Sequence, residues 1–278
     1  MGSVNGNLVE NGMRIQGNNP VIDELVRGNN EVVFNIISLI RGQDGARLYS
    51  DGRSYLTAQT NADCPMWLFV NANANEQTES ELFAILSEAI KENAHLSVNA
   101  QEGFAERTLS LFSKQHVLKL SKRKPLNAYF IREVREIAPV GKLVIANEGY
   151  LQKIAILVQQ SVIDDCDGDM TDEEAIQFAR AHANTGKLYL WVQGDVVSMA
   201  RIVRHEAHYA RLTSIVTERS ARGNGYAKML VGELSKRLLA EGITPILYAR
   251  SENPSSNRCY QKLGFEKAGE ICEFKIEL

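Results

Sequence analysis

The stretch Arg222-Gly223-Asn224-Gly225-Tyr226-Ala227 decides the fold of this 278-residue chain. Two glycines and an alanine stand there between an apolar segment and an amphipathic one, so the backbone can approach a ligand closely. The first turn of a helix offers unpaired amide hydrogens and the positive end of the helix dipole. The segment therefore predicts an anion site, suited to a diphosphate, at Asn224 to Ala227.

The segments on either side of the glycines have different hydrophobic periods. His208 to Val216 mixes apolar and small polar residues, which predicts a short half-buried strand. After the glycines, apolar residues recur three to four positions apart until Gly242, which is typical of an amphipathic helix with a glycine stop. A tight turn whose glycines only relieve steric strain would give the same pattern. The loop by itself therefore leaves both interpretations open.

A second motif, further along the chain, favours the anion-binding interpretation. It reads Asn-x-x-Ser-x-x-x-Tyr-x-x-x-Gly-Phe from Asn253 to Phe265 and follows a strand-like segment. Together with Arg-x-x-Gly-x-Ala, and in this order, it resembles the GNAT superfamily of acetyl-CoA-dependent N-acetyltransferases over roughly Leu143 to Leu278. The resemblance implies an α/β (α+β) chain whose C-terminal half has the GNAT acyltransferase fold, a mixed and mostly antiparallel sheet flanked by helices.

The resemblance also implies which residues bind acetyl-CoA. In this family the strand before the glycine loop splays from its neighbour, and its main chain pairs with the pantetheine arm. The loop binds the pyrophosphate through main-chain amides, and the asparagine after the next strand contacts the cofactor arm. The implied positions in this chain are Ile215, Val216, Thr217, Arg222, Gly223, Asn224, Gly225, Tyr226, Ala227, Lys228 and Asn253.

Tyr260 falls on the general acid of the family. A thiolate leaves when an amine attacks a thioester, and a nearby phenol can donate the proton that it needs. The alternative is that Tyr260 only packs a helix against the sheet.

The general base is not identified by the sequence. The strand position that carries a glutamate in several of these enzymes is Tyr248 here, and an amine that arrives deprotonated would need no base. The nearby titratable residues are not distinguished from one another; they are Glu252, His205, Glu206, His208 and Glu218.

The rest of the C-terminal half predicts matching elements from its periodicity. A strand is expected at Lys142 to Ala146 and a helix at Tyr150 to Ile163. Thr171 and Glu174 form a capping box for a second helix, and a hairpin is expected around Gly194-Asp195. Alternating carboxylates in residues 165–169 resemble a calcium loop, but Met170 stands where the loop needs its glycine and Ile176 where it needs its closing glutamate, so no metal site is predicted.

The first half of the chain carries less specific signals. It has nine glycines but no Gly-x-Gly, so we predict no coenzyme A site there. Its arrangement resembles bacterial tandem proteins with a degenerate N-terminal GNAT-like domain, and the alternative is an unrelated α/β domain. We predict domains at residues 1–139 and 140–278. The pattern predicts helices at Ile22–Leu39 and Phe104–Phe112, and a third helix that begins at a capping box of Thr78 and Glu81. It predicts strands at Arg47–Ala58, Met66–Val70, Val117–Leu120 and Ala128–Val134.

Composition excludes several classes of protein. A net charge of -3 gives no electrostatic footprint for nucleic acid, and the apolar stretches are far shorter than a membrane span. The four cysteines are Cys64, Cys166, Cys259 and Cys272, and they lack metal-type pairs, which favours a reduced cytoplasmic setting without zinc.

These observations predict an N-acetyltransferase. It would move an acetyl group from acetyl-CoA to a primary amine of a small molecule or peptide, by direct attack in a ternary complex. Two alternatives stay open, namely an acetyl-CoA-binding module without turnover and an interaction protein whose glycine loop is only structural. The acceptor and the oligomeric state are not predicted.

Overall fold

The computed structural model describes residues 13–123, 125–136, 138–164, 169–205 and 208–277. The candidate base Glu206, residues 165–168 of the acidic loop, Lys124 and Ile137 lie outside these ranges, as does the side chain of His205. The chain divides into two compact units. Unit 1 comprises Met1–Ala128, Arg250–Glu252 and Ala268–Leu278, and unit 2 comprises Tyr129–Ala249 and Asn253–Lys267.

Unit 1 begins with a short strand and three short helices. They are β1 (Met13–Arg14), α1 (Val21–Leu25), α2 (Asn29–Val33) and α3 (Ile36–Ile40). The single helix predicted for Ile22 to Leu39 is therefore wrong. Gly28 interrupts it with a φ of 68°, a left-handed conformation that an α-helix cannot contain.

The rest of unit 1 alternates strands and helices. The elements are β2 (Arg47–Ser50), β3 (Tyr55–Gln59), β4 (Met66–Val70), α4 (Glu76–Glu92), β5 (His95–Ala100), α5 (Phe104–Gln115), β6 (Lys119–Lys122) and β7 (Leu126–Phe130), whose last two residues belong to unit 2. Strands β2, β3 and β4 pair antiparallel, and β4 pairs parallel with β5.

Two predictions in this unit need correction. The strand predicted over Arg47 to Ala58 is a hairpin, because the Asp51 carboxylate accepts the amides of Arg53 and Ser54 and so forms a turn. Helix α4 begins three residues earlier than the Thr78 cap predicts. Asn75 is its N-cap and Thr78 is the third helical residue.

Unit 2 contains the elements expected from the second half of the sequence. They are β8 (Lys142–Ile145), α6 (Leu151–Asp164), α7 (Asp172–Ala183), β9 (Leu188–Gln193), β10 (Asp195–His205), β11 (Tyr209–Thr217), α8 (Tyr226–Ala240), β12 (Thr244–Arg250) and α9 (Pro254–Leu263). The sheet order is β12-β11-β10-β9-β8, antiparallel except for the parallel β11–β12 pair. The capping box of Thr171 and Glu174 is confirmed at the start of α7.

The two faces of this sheet are covered by different helices. On one face, α8 and α9 contribute Leu230, Leu234 and Leu263 to a buried cluster. On the other face, α6 and α7 pack Ile154 and Ala179 into a second cluster. Burying apolar side chains on both faces is the main force that holds the layers together.

The final strand, β13 (Glu266–Glu277), was not expected from the sequence. It pairs antiparallel with β5, and Cys272, Phe274 and Ile276 enter the core of unit 1. At the other boundary, Tyr129 is buried in the core of unit 2. The units therefore differ from the predicted ranges 1–139 and 140–278, since residues 129–139 group with unit 2 and residues 268–278 with unit 1.

Unit 1 repeats the topology of unit 2. In each unit, antiparallel strands lead into a helix, a parallel strand and a further helix, as β3-β4-α4-β5-α5 in unit 1 and β10-β11-α8-β12-α9 in unit 2.

Among the described residues, no helix is both long and apolar enough to cross a bilayer.

Candidate active site

A cleft opens between β11 and β12 in unit 2. The two strands are paired in parallel from Tyr209 and Thr244 as far as Leu212 and Leu247. Both strands then continue beyond the last pair, β11 to Thr217 and β12 to Arg250. The main chain of β11 is thus left without its parallel neighbour over its second half.

A β-bulge in β11 accounts for this divergence. Ser214 and Ile215 together oppose the single residue Ala200 of β10, and Ser214 has a φ of 50°. A bulge bends its strand and increases the local twist, which turns β11 away from β12. A serine at positive φ gives no warning in the sequence, and the splay was expected only from the family resemblance.

Hydrogen bonds fix which way the end of β11 faces. The Glu218 amide donates to the Val197 carbonyl at 2.9 Å, and the Val216 carbonyl accepts the Ser198 hydroxyl at 2.7 Å. Both residues therefore point their main-chain groups at β10. Successive residues of a strand direct their main-chain groups to opposite edges, so the N–H and C=O groups of Thr217 point away from β10.

The Thr217 carbonyl is already occupied. It accepts Gln160 Nε2 at 2.9 Å and Arg222 Nε at 3.2 Å. The Gln160 side chain also accepts the Arg219 amide through Oε1 at 2.9 Å, so it joins α6 to both ends of the turn after β11. Any contact of a cofactor with Thr217 would have to use its amide rather than its carbonyl.

We expect Gln160→Leu to lower the free energy of unfolding by about 1–3 kcal/mol, because it removes two part-buried hydrogen bonds, those to the Arg219 amide and the Thr217 carbonyl. Urea denaturation of the purified protein measures this. Gln177→Leu is the matched control, since Gln177 is exposed on α7 and we expect a change within about 0.5 kcal/mol. Equal losses in the two variants would contradict the role of Gln160.

The glycine loop leads into α8, and the first main-chain amides of this helix have no hydrogen-bond acceptor among the described residues. Gly223 and Gly225 have φ values of 82° and 79°. Going along the chain from Gly223, Met229 is the first residue whose main-chain amide is hydrogen-bonded; it donates to the Gly225 carbonyl at 3.0 Å. No side chain caps the N-terminus of α8. In the described part of the chain, no acceptor binds the amides of residues 223–228. Such a helix start binds anions.

The corresponding helix start in unit 1, that of α4, is capped by a side chain. Asn75 Oδ1 accepts the amides of Gln77 and Thr78 at 3.0 and 3.1 Å, so these amides are already hydrogen-bonded. The loop from residue 71 to residue 75 has no glycine. The two units thus share a topology but differ at the position that would bind a phosphate.

Arg222 is held against the loop by an ion pair. Its guanidinium bonds to Asp164, and Arg219 bonds to the other carboxylate oxygen at 2.7 Å. Burial alone would raise the pKa of Asp164, but the hydrogen bonds from Arg219 and Arg222 outweigh it and lower that pKa. The carboxylate is therefore ionised at neutral pH, and Arg222 is fixed beside the open amides.

Tyr260 lies on α9, is 5% exposed and points into the core of unit 2. Its ring centroid is 6.3 Å from that of Tyr129 and 5.9 Å from that of Phe265. Tyr129 donates its hydroxyl to Asn257 Oδ1 at 2.8 Å. The role of Tyr260 as proton donor stays a prediction, and its burial requires the thioester to reach it from the cleft.

Two further residues lie at the start of α9 or within it, Asn253 and Cys259. Asn253 caps α9, since its Oδ1 accepts the Ser256 amide at 3.0 Å. Its predicted contact with the cofactor arm stays a prediction. Burial raises the pKa of the Cys259 thiol to about 11, although Lys228 and Lys262 oppose the shift, so Cys259 stays protonated at neutral pH.

The structure does not single out a general base. Glu218 lies 3.8 Å from Lys153 Nζ, His208 is exposed, and Tyr248 is partly buried on β12. Among the described residues, no group of three or more His, Cys, Asp or Glu side chains is placed to hold a metal ion.

Two arginines on the sheet are not among the residues predicted for the site. Arg201 on β10 and Arg211 on β11 are part-buried, and their buried Nε atoms have no hydrogen-bond partner. In each strand the arginine alternates with fully buried residues, Ala200 and Ile202 in β10 and Ala210 and Leu212 in β11. The sequence pattern therefore gives no signal that these arginines are part-buried.

Comparisons with known proteins agree with this architecture. A family model described as "FR47-like protein" matches residues 191–274. A GCN5-related N-acetyltransferase from Sphaerobacter thermophilus is similar with a TM-score of 0.61 at 14% identity, covering 93% of this chain and 91% of that chain. An acetyltransferase of the GNAT family from Colwellia psychrerythraea has a TM-score of 0.56 at 15% identity, with 87% and 89% covered.

A tandem GNAT protein from the clavulanic acid biosynthesis pathway is also similar, with a TM-score of 0.55 at 14% identity over 95% of this chain and 96% of that chain. No curated protein matches the chain significantly. The resemblance to the GNAT superfamily and the predicted fold class are therefore confirmed. The chain has the fold of GNAT acyltransferases, and identities this low show the fold alone.

Proposed function

We propose that the chain is an N-acetyltransferase that moves an acetyl group from acetyl-CoA to a primary amine by direct attack. The observation that carries this proposal is the open set of amides at residues 223–228, directly after a strand that has left its neighbour. A diphosphate fits such a site because its oxygens accept several main-chain hydrogen bonds at the positive end of the helix dipole.

Each group of residues around the cleft would have its own role in the acetyl transfer. The amides from Gly223 to Lys228 bind the diphosphate, and the main chain of Ile215 and the amide of Thr217 align the arm of the cofactor along β11. Val216, although predicted for this role, points its main-chain groups at β10 instead. The amine nitrogen forms a bond to the acetyl carbon while the carbon–sulfur bond breaks. Tyr260 donates a proton to the leaving sulfur, the amine loses its surplus proton to water, and the Tyr260 phenolate regains a proton from water.

Unit 1 would serve as a degenerate partner of the catalytic unit. The repeated topology supports this, and the capped start of α4 argues against a second diphosphate site there. We place the protein in the cytoplasm of a bacterium, on the tandem arrangement and on Cys64, Cys259 and Cys272, which are free thiols.

A second candidate function is acetyl-CoA binding without turnover. The specific observation in its favour is Tyr248, which stands where several of these enzymes have the glutamate that acts as base. A phenol is a weak base at neutral pH, so only an amine that arrives deprotonated would react.

Calorimetry with acetyl-CoA, followed by an assay of thiol release over a panel of amines, tests both functions. We expect binding at micromolar concentrations and amine-dependent thiol release. Binding without release from any amine would support the module without turnover. No binding at all would contradict both and leave an interaction protein with a structural loop.

A further inference from the structure

Two arginines share one face of the unit 2 sheet at the closed end of the cleft. In the register, Arg201 faces Thr213 and Val203 faces Arg211, so the arginines are diagonal neighbours on adjacent strands. Their face is the one that carries Met199 and packs against α6 and α7. The helix with the open amides, α8, covers the opposite face.

Neither arginine has an acidic partner in the part of the chain that the structure describes. Arg201 Nη1 lies 3.0 Å from His182 Nε2, and both arginine Nε atoms are buried without an acceptor. Burial, and then the proximity of Arg201, lowers the pKa of His182, so its ring is neutral at neutral pH and adds no charge.

Burial also lowers the pKa of Arg201 and Arg211, and Arg201 contributes to the shift in Arg211. Arginine nevertheless stays charged in proteins. Two like charges therefore lie close together, partly removed from water, with guanidinium donors unused. Such an arrangement is unfavourable unless an anion completes it.

The cluster lies where an acceptor would have to bind. Arg211 comes directly before Leu212, the last residue of β11 that pairs with β12, and Tyr248 comes directly after Leu247 on the other strand. Tyr248 interacts with Arg211 and opposes the lowering of its pKa. With a diphosphate at the open end of the cleft, a thioester reaching along β11 would approach this closed end.

We propose that Arg201 and Arg211 bind a carboxylate of the acceptor, so that the substrate class is an amine that also carries a carboxylate, such as an amino acid. This rests on the proposed function. A guanidinium binds a carboxylate through two parallel hydrogen bonds, which fixes the acceptor and thereby aims its amine. Polyamines and other purely cationic acceptors would be repelled by the two arginines.

The test compares amino acids with their carboxamides, which keep the amine and the side chain but lose the negative charge. In the full-length protein we expect kcat/KM to be at least about 50-fold higher for the acid than for the amide of the same amino acid. Arg211→Met should remove this preference by lowering kcat/KM for the acid, with the amide changed less than about threefold. Arg211→Lys, which keeps the charge but not the planar fork, should lose about tenfold on the acid.

Arg237→Met is the matched control, because Arg237 is an exposed arginine on α8 and should leave the preference unchanged. Equal activity on acids and amides, or an equal loss on both in Arg211→Met, would overturn the proposal.

A binding measurement separates this proposal from the proposed function. Calorimetry with N-acetyl amino acids and their carboxamides requires no turnover. Preferential binding of the acids that Arg211→Met removes would support the arginine site even in a protein that never releases thiol from acetyl-CoA. Absence of that preference in a protein that does acetylate amines would overturn the arginine site and leave the acetyltransferase standing.

Discussion

Gly225→Val is expected to raise the dissociation constant for acetyl-CoA at least about 100-fold, equivalent to about 2.7 kcal/mol. Gly225 has a φ of 79°, which a β-branched residue adopts only at a cost of about 1–3 kcal/mol. An added Cβ would meet only Met229 Cε, at 4.0 Å, so no clash prevents folding. We expect the affinity for acetyl-CoA to fall because the amides of residues 223–228 would no longer point at one ligand position. The valine side chain would also occupy space next to these amides.

Gly242→Val separates loss of binding from loss of stability. Gly242 lies just beyond the other end of α8, has a φ of 75°, and has open space where a Cβ would stand. We expect both variants to lower the free energy of unfolding by similar amounts, and only Gly225→Val to impair binding. Calorimetry and urea denaturation of both proteins measure this. Undiminished affinity in Gly225→Val, or an equal loss of affinity in Gly242→Val, would contradict the assignment of the loop.

The sequence was most informative where a local signal sets a local conformation. The glycine loop, the capping box of Thr171 and Glu174 and the helix stop at Gly242 each depend on residues a few positions apart, and the structure has them where they were expected. These signals were enough to order the elements of unit 2. They carry no information about which distant strands pair.

Non-local pairing explains most of what could not be predicted. Strand β13 completes unit 1 because Cys272 and Phe274 alternate inward and meet Ala100 and Val98 across the sheet. Nothing within residues 266–277 distinguishes this strand from an edge strand of unit 2. The boundary between the units depends on this pairing, so local sequence composition could not reveal it.

The site itself was predictable only in part. The open amides follow from the glycines, but the divergence of β11 depends on the bulge at Ser214, a residue with no intrinsic preference for positive φ. Arg201 and Arg211 look like surface residues in the sequence. Only the packing of α6 and α7 over their face shows that they are part-buried.

Tyr260→Phe is expected to lower kcat by about 10²–10⁴-fold if the phenol donates the proton to the leaving sulfur. Phenylalanine keeps the ring contacts with Tyr129 and Phe265, so the core and the affinity for acetyl-CoA should change little. Steady-state kinetics of amine-dependent thiol release, with calorimetry of acetyl-CoA binding, measure the two effects separately.

Tyr129→Phe is the control for that experiment, because Tyr129 is a second buried tyrosine beside the first. Its hydroxyl bonds to Asn257 Oδ1 at 2.8 Å, so its loss should cost about 1 kcal/mol of stability and leave kcat unchanged. A general acid and a packing residue thus give opposite patterns, one with loss of rate and the other with loss of stability. If Tyr260→Phe loses stability but keeps its kcat, as expected for Tyr129→Phe, Tyr260 only packs α9 against the sheet and the proton comes from elsewhere.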